Sequence, residues 1–220
     1  VSSEDSHQPL SKVTIAIPLT PSRGLPSPFG WLAVLKSLII FYAFYDRLTV
    51  NSMRIIVQRV RSASVTVDGQ IVSQIGPGLV ALVGIHELDT GEDVQYCARR
   101  LLGAKLWEND SGASWRHGVK TKGYQILCVS QFTLYGTLTN KKWQPDYKLA
   151  MKSQPAQDLY IQFLNQLKHD YELEGKILDG KFGAMMDVAL VNDGPVTIII
   201  ESEPKAKILE GKDDHSIEVS

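Results

Sequence analysis

Residues 124–136 read Tyr-Gln-Ile-Leu-Cys-Val-Ser-Gln-Phe-Thr-Leu-Tyr-Gly, and the fold is interpreted outward from this stretch. Its apolar first half is short and rich in β-forming residues, which predicts a buried strand. If the alternation continues, Gln131 and Thr133 share one face of the strand, opposite to Ser130 and Phe132. Polar side chains at the end of a buried strand need hydrogen-bond partners or a ligand. From this pattern alone, side chains that hold the following loop are favoured over a ligand site.

Short strands and two amphipathic helices surround this stretch. Asp68-Gly69 is a hairpin turn signal, and Thr90 followed three residues later by Asp93 is a capping box that predicts a helix start. A second long helix is predicted from Ser153 to about Tyr171. Strands are predicted at 54–60, 63–67, 70–75, 79–85, 105–108, 124–129, 176–179, 184–191 and 196–202, with a polar loop at 109–122. The sequence therefore predicts an α/β (mixed α+β) domain, in which mixed β-sheets pack with two main helices.

The composition limits the chemistry that the chain can perform. Its 220 residues carry a formal net charge of −1, so nucleic-acid binding would need a local basic patch. Cys97 and Cys128 lie inside predicted elements and have no metal-ligand spacing. They are interpreted as buried thiols, which favours a reducing compartment and a cytoplasmic location.

The residue types of common catalytic centres are poorly represented. None of the five histidines lies in a metal-binding repeat or beside a Ser or Cys in a nucleophile motif. No Gly-rich phosphate loop follows the first predicted strand, and the acidic residues are scattered. The sequence therefore predicts no metal and no cofactor.

Five motifs nevertheless resemble one family. They lie, in order, at 53–60, 75–79, 130–134, 182–186 and 192–197. Ser-Gln-Phe-Thr-Leu and Asn-Asp-Gly-Pro-Val-Thr among them resemble the D-aminoacyl-tRNA deacylases, the enzymes that hydrolyse D-amino acids off mischarged tRNA. The resemblance covers residues 53–204 and implies the same fold type and a homodimer.

The resemblance also divides the chain. An N-terminal extension at 1–52, a deacylase domain at 53–204 and a charged tail at 205–220 are predicted. Residues 2–30 are rich in Ser and Pro, which predicts disorder. The apolar segment 31–45 is shorter than the roughly 20 residues that span a bilayer, and Lys36 interrupts it. A membrane-associating helix, a targeting segment and sequence upstream of the real start at Met53 are three interpretations, of which the last is favoured over membrane contact.

The resemblance implies that Ser130, Gln131, Phe132 and Thr133 form the catalytic turn. An activated ester needs donors for the developing oxyanion and a placed water or hydroxyl, and backbone N–H groups can be those donors. We expect the N–H groups of residues 131–133 to surround the carbonyl oxygen, with the Ser130 and Gln131 side chains orienting them. Nothing in the sequence activates the Thr133 hydroxyl, so the hypothesis is that Thr133 positions the substrate while the terminal ribose 2′-hydroxyl assists.

The second motif implies a filter for handedness. In the family the Gly194-Pro195 bond is cis, and the dipeptide of one subunit reaches into the pocket of its partner. Main-chain carbonyls there would hold the α-ammonium group, and glycine lets the backbone approach closely. Such a filter excludes L-residues by steric conflict and admits glycine. Arg59 is implied to brace this loop, its alternative being a surface arginine at a strand end.

Two further groups are assigned by the resemblance. Phe182, Ala184 and Met186 are expected to line the adenosine pocket, although they could equally be core residues. Basic and aromatic residues of the following loop suit contact with a tRNA end, the alternative being an ordinary solvated loop. These residues are Lys141, Lys142, Trp143, Tyr147, Lys148 and Lys152.

The leading hypothesis is therefore an enzyme that hydrolyses the ester of D-aminoacyl-tRNA, and with it mischarged glycyl-tRNA, as chiral proofreading in translation. Its expected partners are aminoacylated tRNA and a second copy of the chain. A non-catalytic tRNA-binding module is the first alternative. A synthetase-type editing domain is the second, and the chain has no room for a synthetase body.

Overall fold

The structure is a computed structural model that describes residues 52–139 and 142–202. Three strands come first along this part of the chain, and helices and short strands follow them. In order, the elements are β1 (Arg54–Val67), β2 (Gln70–Ile75), β3 (Gly78–Gly84), α1 (Gly91–Gly103), β4 (Lys105–Trp107), β5 (His117–Gly118), α2 (Val119–Lys122), β6 (Gln125–Ser130), a 3-10 turn (Phe132–Tyr135), β7 (Thr137–Leu138), β8 (Pro145–Asp146), α3 (Ser153–Tyr171), β9 (Ile177–Asp179) and β10 (Asp187–Glu201).

The main sheet has six strands and is organised around β1. The order is β10-β1-β3-β6-β9, and β2 pairs with β1 beside β3. Strand β1 is antiparallel to β10, β2 and β3, whereas β3, β6 and β9 are parallel to one another. The sheet is therefore mixed, and β10 forms one of its edges.

An irregularity in β1 decides which face of the sheet each half of the strand contacts. Arg61 has no partner between the pairs Val60↔Asn192 and Ser62↔Val191, so one extra residue lies in β1. An extra residue reverses the alternation of side chains along a strand. Ile55 and Val57 belong to the large core cluster, and Val60 lies on the opposite face by ordinary alternation. After the extra residue, the odd-numbered Ala63, Val65 and Val67 face the second cluster instead.

The two long helices cover the first of these faces. The large cluster joins α1 and α3 to β1, β3 and β6. Helix α1 begins with the predicted capping box, in which the Asp93 carboxylate accepts the Thr90 N–H at 2.8 Å. Buried side chains of α3 recur at helical spacing, at Ala156, Tyr160, Phe163, Leu164, Leu167 and Tyr171. Burial of each large apolar side chain stabilises the fold by about 1.5–3 kcal/mol.

The predicted α/β class and the two main helices are confirmed, but several boundaries were wrong. Strand β1 runs unbroken through the gap predicted at 61–62, because it exchanges β3 for β2 as its partner there. Strand β10 is likewise one strand and not two. The polar loop predicted at 109–122 ends in β5 and the single turn of α2.

Other predictions lie outside the described residues. They are the extension up to residue 51, with its apolar segment 31–45, the tail 205–220, and Lys141. Within residues 52–139 and 142–202, no helix combines the length and the apolar character needed to cross a membrane.

Candidate active site

The chain leaves the sheet directly after β6 and forms the 3-10 turn, called here the β6 turn (Phe132–Tyr135). The Gln131 N–H donates to the Val83 carbonyl at 2.7 Å, which joins the exit of β6 to β3. Gly84 lets the turn lie against β3, since a Cβ there would be 3.0 Å from the Tyr135 ring and 3.1 Å from Leu134 Cβ. The alternation expected through Thr133 therefore ends at Ser130.

The β6 turn borders a cavity of about 370 Å³, called here the turn cavity. Its walls come from the ends of β3 and β6, the start of α3, and the segment that contains Phe182. Phe132 is 58% exposed at the rim, where its ring meets the Tyr147 ring edge to face at 5.0 Å. Phe182 packs against Tyr160 with a centroid distance of 5.6 Å. The cavity thus combines aromatic walls with a polar corner.

That polar corner contains Ser130 and Gln131, and the adjoining β6 turn supplies backbone donors. The first N–H groups of a helical turn have no carbonyl partner within the turn. Leu134 N–H already donates to the Gln131 carbonyl at 3.2 Å, whereas the N–H groups of Phe132 and Thr133 have no acceptor among residues 52–139 and 142–202 and are called here the free donors of the turn. The Gln131 N–H was also expected to face the substrate carbonyl, but Val83 already accepts it. The expected set of three donors is therefore reduced to two.

The Thr133 hydroxyl is oriented without being activated. Its oxygen accepts a hydrogen bond from the Gln131 side-chain amide. An amide cannot take the proton of an attacking hydroxyl. Among the described residues, no hydrogen bond joins Thr133 to a histidine or a carboxylate. This geometry suits a positioning group better than a nucleophile.

A buried tyrosine anchors the far end of the turn. The Tyr135 hydroxyl donates to the Ser52 carbonyl at 2.5 Å, and the edge of the ring meets the buried His86 ring at 5.4 Å. Burial raises the pKa of the Tyr135 hydroxyl well above its ordinary value. Tyr135 therefore stays a neutral donor, and its sequence position gave no sign of this anchoring contact.

The second predicted motif forms a bulge in the edge strand. Gln58 pairs with Thr197 and Val60 with Asn192, so Arg59 alone faces residues 193–196, called here the β10 bulge. Gly194 has φ 128°, a conformation that L side chains rarely adopt, and the Gly194-Pro195 bond is cis. Both residues are exposed. The bulge thus presents its backbone outward.

Arg59 holds this bulge in place. Its Nε donates to the Asp193 carbonyl at 3.1 Å and lies 3.0 Å from the Asp193 carboxylate. Its Nη1 donates to the Leu106 carbonyl of β4. With Trp107 and Trp115, the bulge lines a cavity of about 530 Å³, called here the bulge cavity. The contacts are those expected of a bracing residue.

The predicted site residues fall into three groups within one chain. The turn cavity brings Ser130, Gln131 and Phe132 together with Phe182, and Thr133 lies next to them on the turn. The bulge cavity brings Arg59 together with Gly194 and Pro195. Ala184 and Met186 instead pack against the second core cluster and do not line the turn cavity.

Other reactive groups are buried or spread apart. Burial raises the pKa of the Cys97 thiol to about 12 and also raises that of Cys128, so neither is a ready nucleophile. Within the described ranges, no group of three or more His, Cys, Asp or Glu side chains could hold a metal ion.

The basic loop beside the turn cavity is exposed where the structure describes it. Lys142, Lys148 and Lys152 are exposed, and Trp143 is 77% exposed. The Lys148 ammonium lies 3.0 Å from the Asp146 carboxylate, and its hydrogen bond lowers the pKa of that carboxyl. Such a surface can contact phosphates and bases.

Comparison with known proteins agrees with this geometry. The family model described as D-Tyr-tRNA(Tyr) deacylase matches residues 56–201. A Drosophila melanogaster protein named D-aminoacyl-tRNA deacylase is 51% identical over 150 residues, which are 68% of this chain and 92% of that protein. A Dictyostelium discoideum protein of the same name is 47% identical over 70% of this chain and its own full length.

A solved structure extends the likeness to the fold. The protein titled c-Myc DNA unwinding element binding protein superposes with a TM-score of 0.64 at 46% identity, over 68% of this chain and 99% of that one. The matched region contains every element that forms the turn cavity and the β10 bulge. The chain belongs to the D-Tyr-tRNA(Tyr) deacylase family.

Proposed function

We propose that the chain hydrolyses the ester bond of D-aminoacyl-tRNA, releasing the D-amino acid and free tRNA. Membership of the deacylase family supports this proposal, as do the names of its relatives in Drosophila and Dictyostelium. The observation that carries the proposal is the turn cavity, whose aromatic lining adjoins the β6 turn with the N–H groups of Phe132 and Thr133. The proposed role is chiral proofreading in translation, and the proposed substrates include mischarged glycyl-tRNA.

The chemistry follows from the β6 turn. The ester carbonyl oxygen accepts from the N–H groups of Phe132 and Thr133, whose dipoles stabilise the developing oxyanion. One such donor typically contributes 10²- to 10³-fold to kcat. Gln131 orients the Thr133 hydroxyl, and the 2′-hydroxyl of the terminal ribose places the attacking water. The reaction then needs neither a metal nor an ionised side chain.

The terminal adenosine occupies the turn cavity. Phe132, Tyr147 and Phe182 supply ring surfaces suited to a purine. The exposed lysines of the adjoining loop contact the tRNA backbone, as charge and proximity favour. In this assignment Ala184 and Met186 support the wall from the second core cluster, and do not touch the base.

Handedness is judged by the β10 bulge of a second copy of the chain. The bulge and the turn cavity are separate within one chain, and both face outward. A homodimer would bring the Gly194-Pro195 backbone of one protomer over the turn cavity of its partner. Carbonyls there hold the α-ammonium group and leave no room for an L side chain. Exposed apolar residues on the edge strand β10, at Val188, Val191 and Ile199, favour such an association.

The test is incubation of the full chain with D-Tyr-tRNA and L-Tyr-tRNA, with and without a chelator. We expect release of the D-amino acid only, at a rate that the chelator leaves unchanged. The same protein starting at Met53 is expected to be equally active. Release of the L-amino acid at an equal rate would contradict the chiral filter.

The cellular location follows from the cysteines. The thiols of Cys97 and Cys128 are buried and form no disulfide bond, which supports action in the cytoplasm.

A second candidate is nucleic-acid binding without catalysis. The solved relative at 46% identity carries a title that names binding to a DNA element. In that case the chain would bind uncharged tRNA or duplex DNA in a salt-dependent manner and cleave neither aminoacyl ester. A filter-binding titration beside the deacylation assay separates the two functions.

A further inference from the structure

We propose that Arg54 is a positioning residue that fixes the β6 turn and thereby aims the Phe132 and Thr133 N–H groups. The inference rests on the proposed function, because it assigns Arg54 a part in the same reaction. Arg54 lies at the start of β1, outside all the residues assigned to the site so far.

The Arg54 guanidinium contacts the turn in two ways. Its Nη1 donates to the Leu134 carbonyl at 3.1 Å, and its central carbon lies 5.6 Å from the centre of the Tyr135 ring. Its Nε lies 2.6 Å from the Glu201 carboxylate at the end of β10. One side chain thus joins the first strand, the edge strand and the turn.

The turn is a single short helical turn of four residues. At its ends, Leu134 N–H donates to the Gln131 carbonyl and Gly136 N–H donates to the Thr133 carbonyl. The last carbonyls of a helical turn lack partners within it. A charged donor makes a stronger hydrogen bond than a neutral one, so Arg54 fixes the Leu134 peptide firmly.

The protein core holds the opposite side of the same segment. The Tyr135 ring is buried, and its hydroxyl donates to the Ser52 carbonyl. The segment at Leu134 and Tyr135 is therefore clamped between the guanidinium and the core. Because the turn is short, a rotation of this segment would move the N–H groups of Phe132 and Thr133 away from the ester carbonyl oxygen of the substrate. A misplacement of about 1 Å can cost 10²-fold in rate.

The test compares four variants of the full chain with D-Tyr-tRNA as substrate. Arg54→Met removes the guanidinium, and Arg54→Lys keeps the charge with a single donor group. Glu201→Gln weakens the ion pair with β10 and leaves the Arg54–Leu134 bond in place. Arg100→Met removes another guanidinium stacked on a tyrosine, 5.8 Å from the Tyr96 ring on α1, and is the matched control.

We expect Arg54→Met to lower kcat by about 10- to 100-fold with KM changed less than about 2-fold, because the walls of the cavity remain. Arg54→Lys should lower kcat less than Arg54→Met does, and it replaces Arg54→Met in the comparison if that variant does not fold. Glu201→Gln and Arg100→Met should keep kcat within about 2-fold. The amide resonances of Phe132 and Thr133 should shift in Arg54→Met and stay unchanged in Glu201→Gln.

Equal losses of kcat in Arg54→Met and Glu201→Gln would overturn the proposal, because Arg54 would then act through the sheet edge. Unshifted amide resonances of Phe132 and Thr133 in Arg54→Met would overturn it as well. A wild-type chain that cleaves no D-Tyr-tRNA would instead refute the proposed function. The amide resonances would still report whether Arg54 fixes the turn.

Discussion

The β6 turn and the β10 bulge are both short irregular segments that present backbone groups, but they are built differently. The turn follows a central strand and is held by the Val83 carbonyl, the buried Tyr135 and the Arg54 guanidinium. The bulge interrupts an edge strand, and Arg59 donates to its Asp193 carbonyl and pairs with the Asp193 carboxylate, while Arg61 Nε lies 3.6 Å from the same carboxylate. The turn is therefore anchored in the core, whereas the bulge is held by two arginine side chains of β1.

The two segments also present opposite polarity. The β6 turn offers N–H donors, which suit the oxygen that gains negative charge during ester cleavage. The β10 bulge, on its exposed strand, can offer carbonyl oxygens, which suit an ammonium group. An aminoacyl ester carries both features on adjacent carbons. Backbone groups alone can therefore suit both steps of the proposed function. The β6 turn suits ester cleavage, and the β10 bulge suits the discrimination between D- and L-residues.

The largest expected effect concerns the backbone donor at Thr133. Replacing the Thr133 amide by an ester removes its N–H group and keeps the side chain. We expect kcat to fall about 10²- to 10³-fold, measured by single-turnover deacylation of D-Tyr-tRNA. Thr133→Ala keeps the N–H group, and its kcat should fall by less than about 10-fold. Inactive Thr133→Ala together with a trapped acyl-threonine in the wild-type chain would reverse the assignment of roles.

The next effect concerns the β10 bulge. Gly194→Ala places a Cβ 2.9 Å from Val196 Cγ2 and 3.4 Å from Arg59 Nη2, at a φ that alanine rarely adopts. The bulge should move, and the ratio of D-Tyr-tRNA to L-Tyr-tRNA cleavage should fall by about 10- to 100-fold. Gly112→Ala is the matched control, since Gly112 also has a positive φ but nothing within 4 Å. An unchanged ratio in Gly194→Ala would separate the bulge from chiral selection.

The smallest effect concerns the support behind the turn. Burial lowers the pKa of His86, with Arg54 adding to the effect and Glu87 and Asp93 opposing it. The unfolded chain therefore binds a proton at this histidine more readily than the folded chain does. The free energy of unfolding should decrease as pH falls below the ordinary value near 6.5, by at most about 1.4 kcal/mol per pH unit.

Urea denaturation at pH 7 and pH 5 measures this effect. His86→Asn keeps an acceptor for the Leu88 N–H, which His86 Nδ1 accepts at 3.1 Å, and should reduce the dependence on pH. His169→Asn, at a side chain that is 84% exposed, is the control. Equal pH dependence in the wild-type chain and in His86→Asn would exclude His86 as the cause.

Local signals in the sequence predicted the parts of the fold that depend on neighbouring residues. The capping box at Thr90 was found because its contacts lie within one turn. Helix α3 begins at the predicted Ser153, but Lys152 is its N-cap residue and no side-chain hydrogen bond caps it. The unbroken β1 was missed because its continuity comes from a change of partner between β3 and β2. Strand pairing joins residues that are far apart in sequence, so local propensity does not report it.

The candidate site shows the same division. The five motifs together indicated the family, and those at Ser130 and Gly194 indicated the chemical character of the two segments. The commitment of the Gln131 N–H to Val83 and the contact of Arg54 with Leu134, 80 residues away, left no trace in local sequence. Arg54 is the first residue of the strand β1, a place where a charged residue commonly faces solvent.

Sequence patterns were sufficient to predict the mixed α/β class, the two helices, the family and the two segments that bear its motifs. The folded arrangement was needed to show that the turn and the bulge line separate cavities, which N–H groups of the turn lack an acceptor among the described residues, and which arginines contact each segment. The physical reason is that composition and periodicity depend on covalent neighbours. The direction of a backbone N–H or a guanidinium depends on strands that pair across the whole domain.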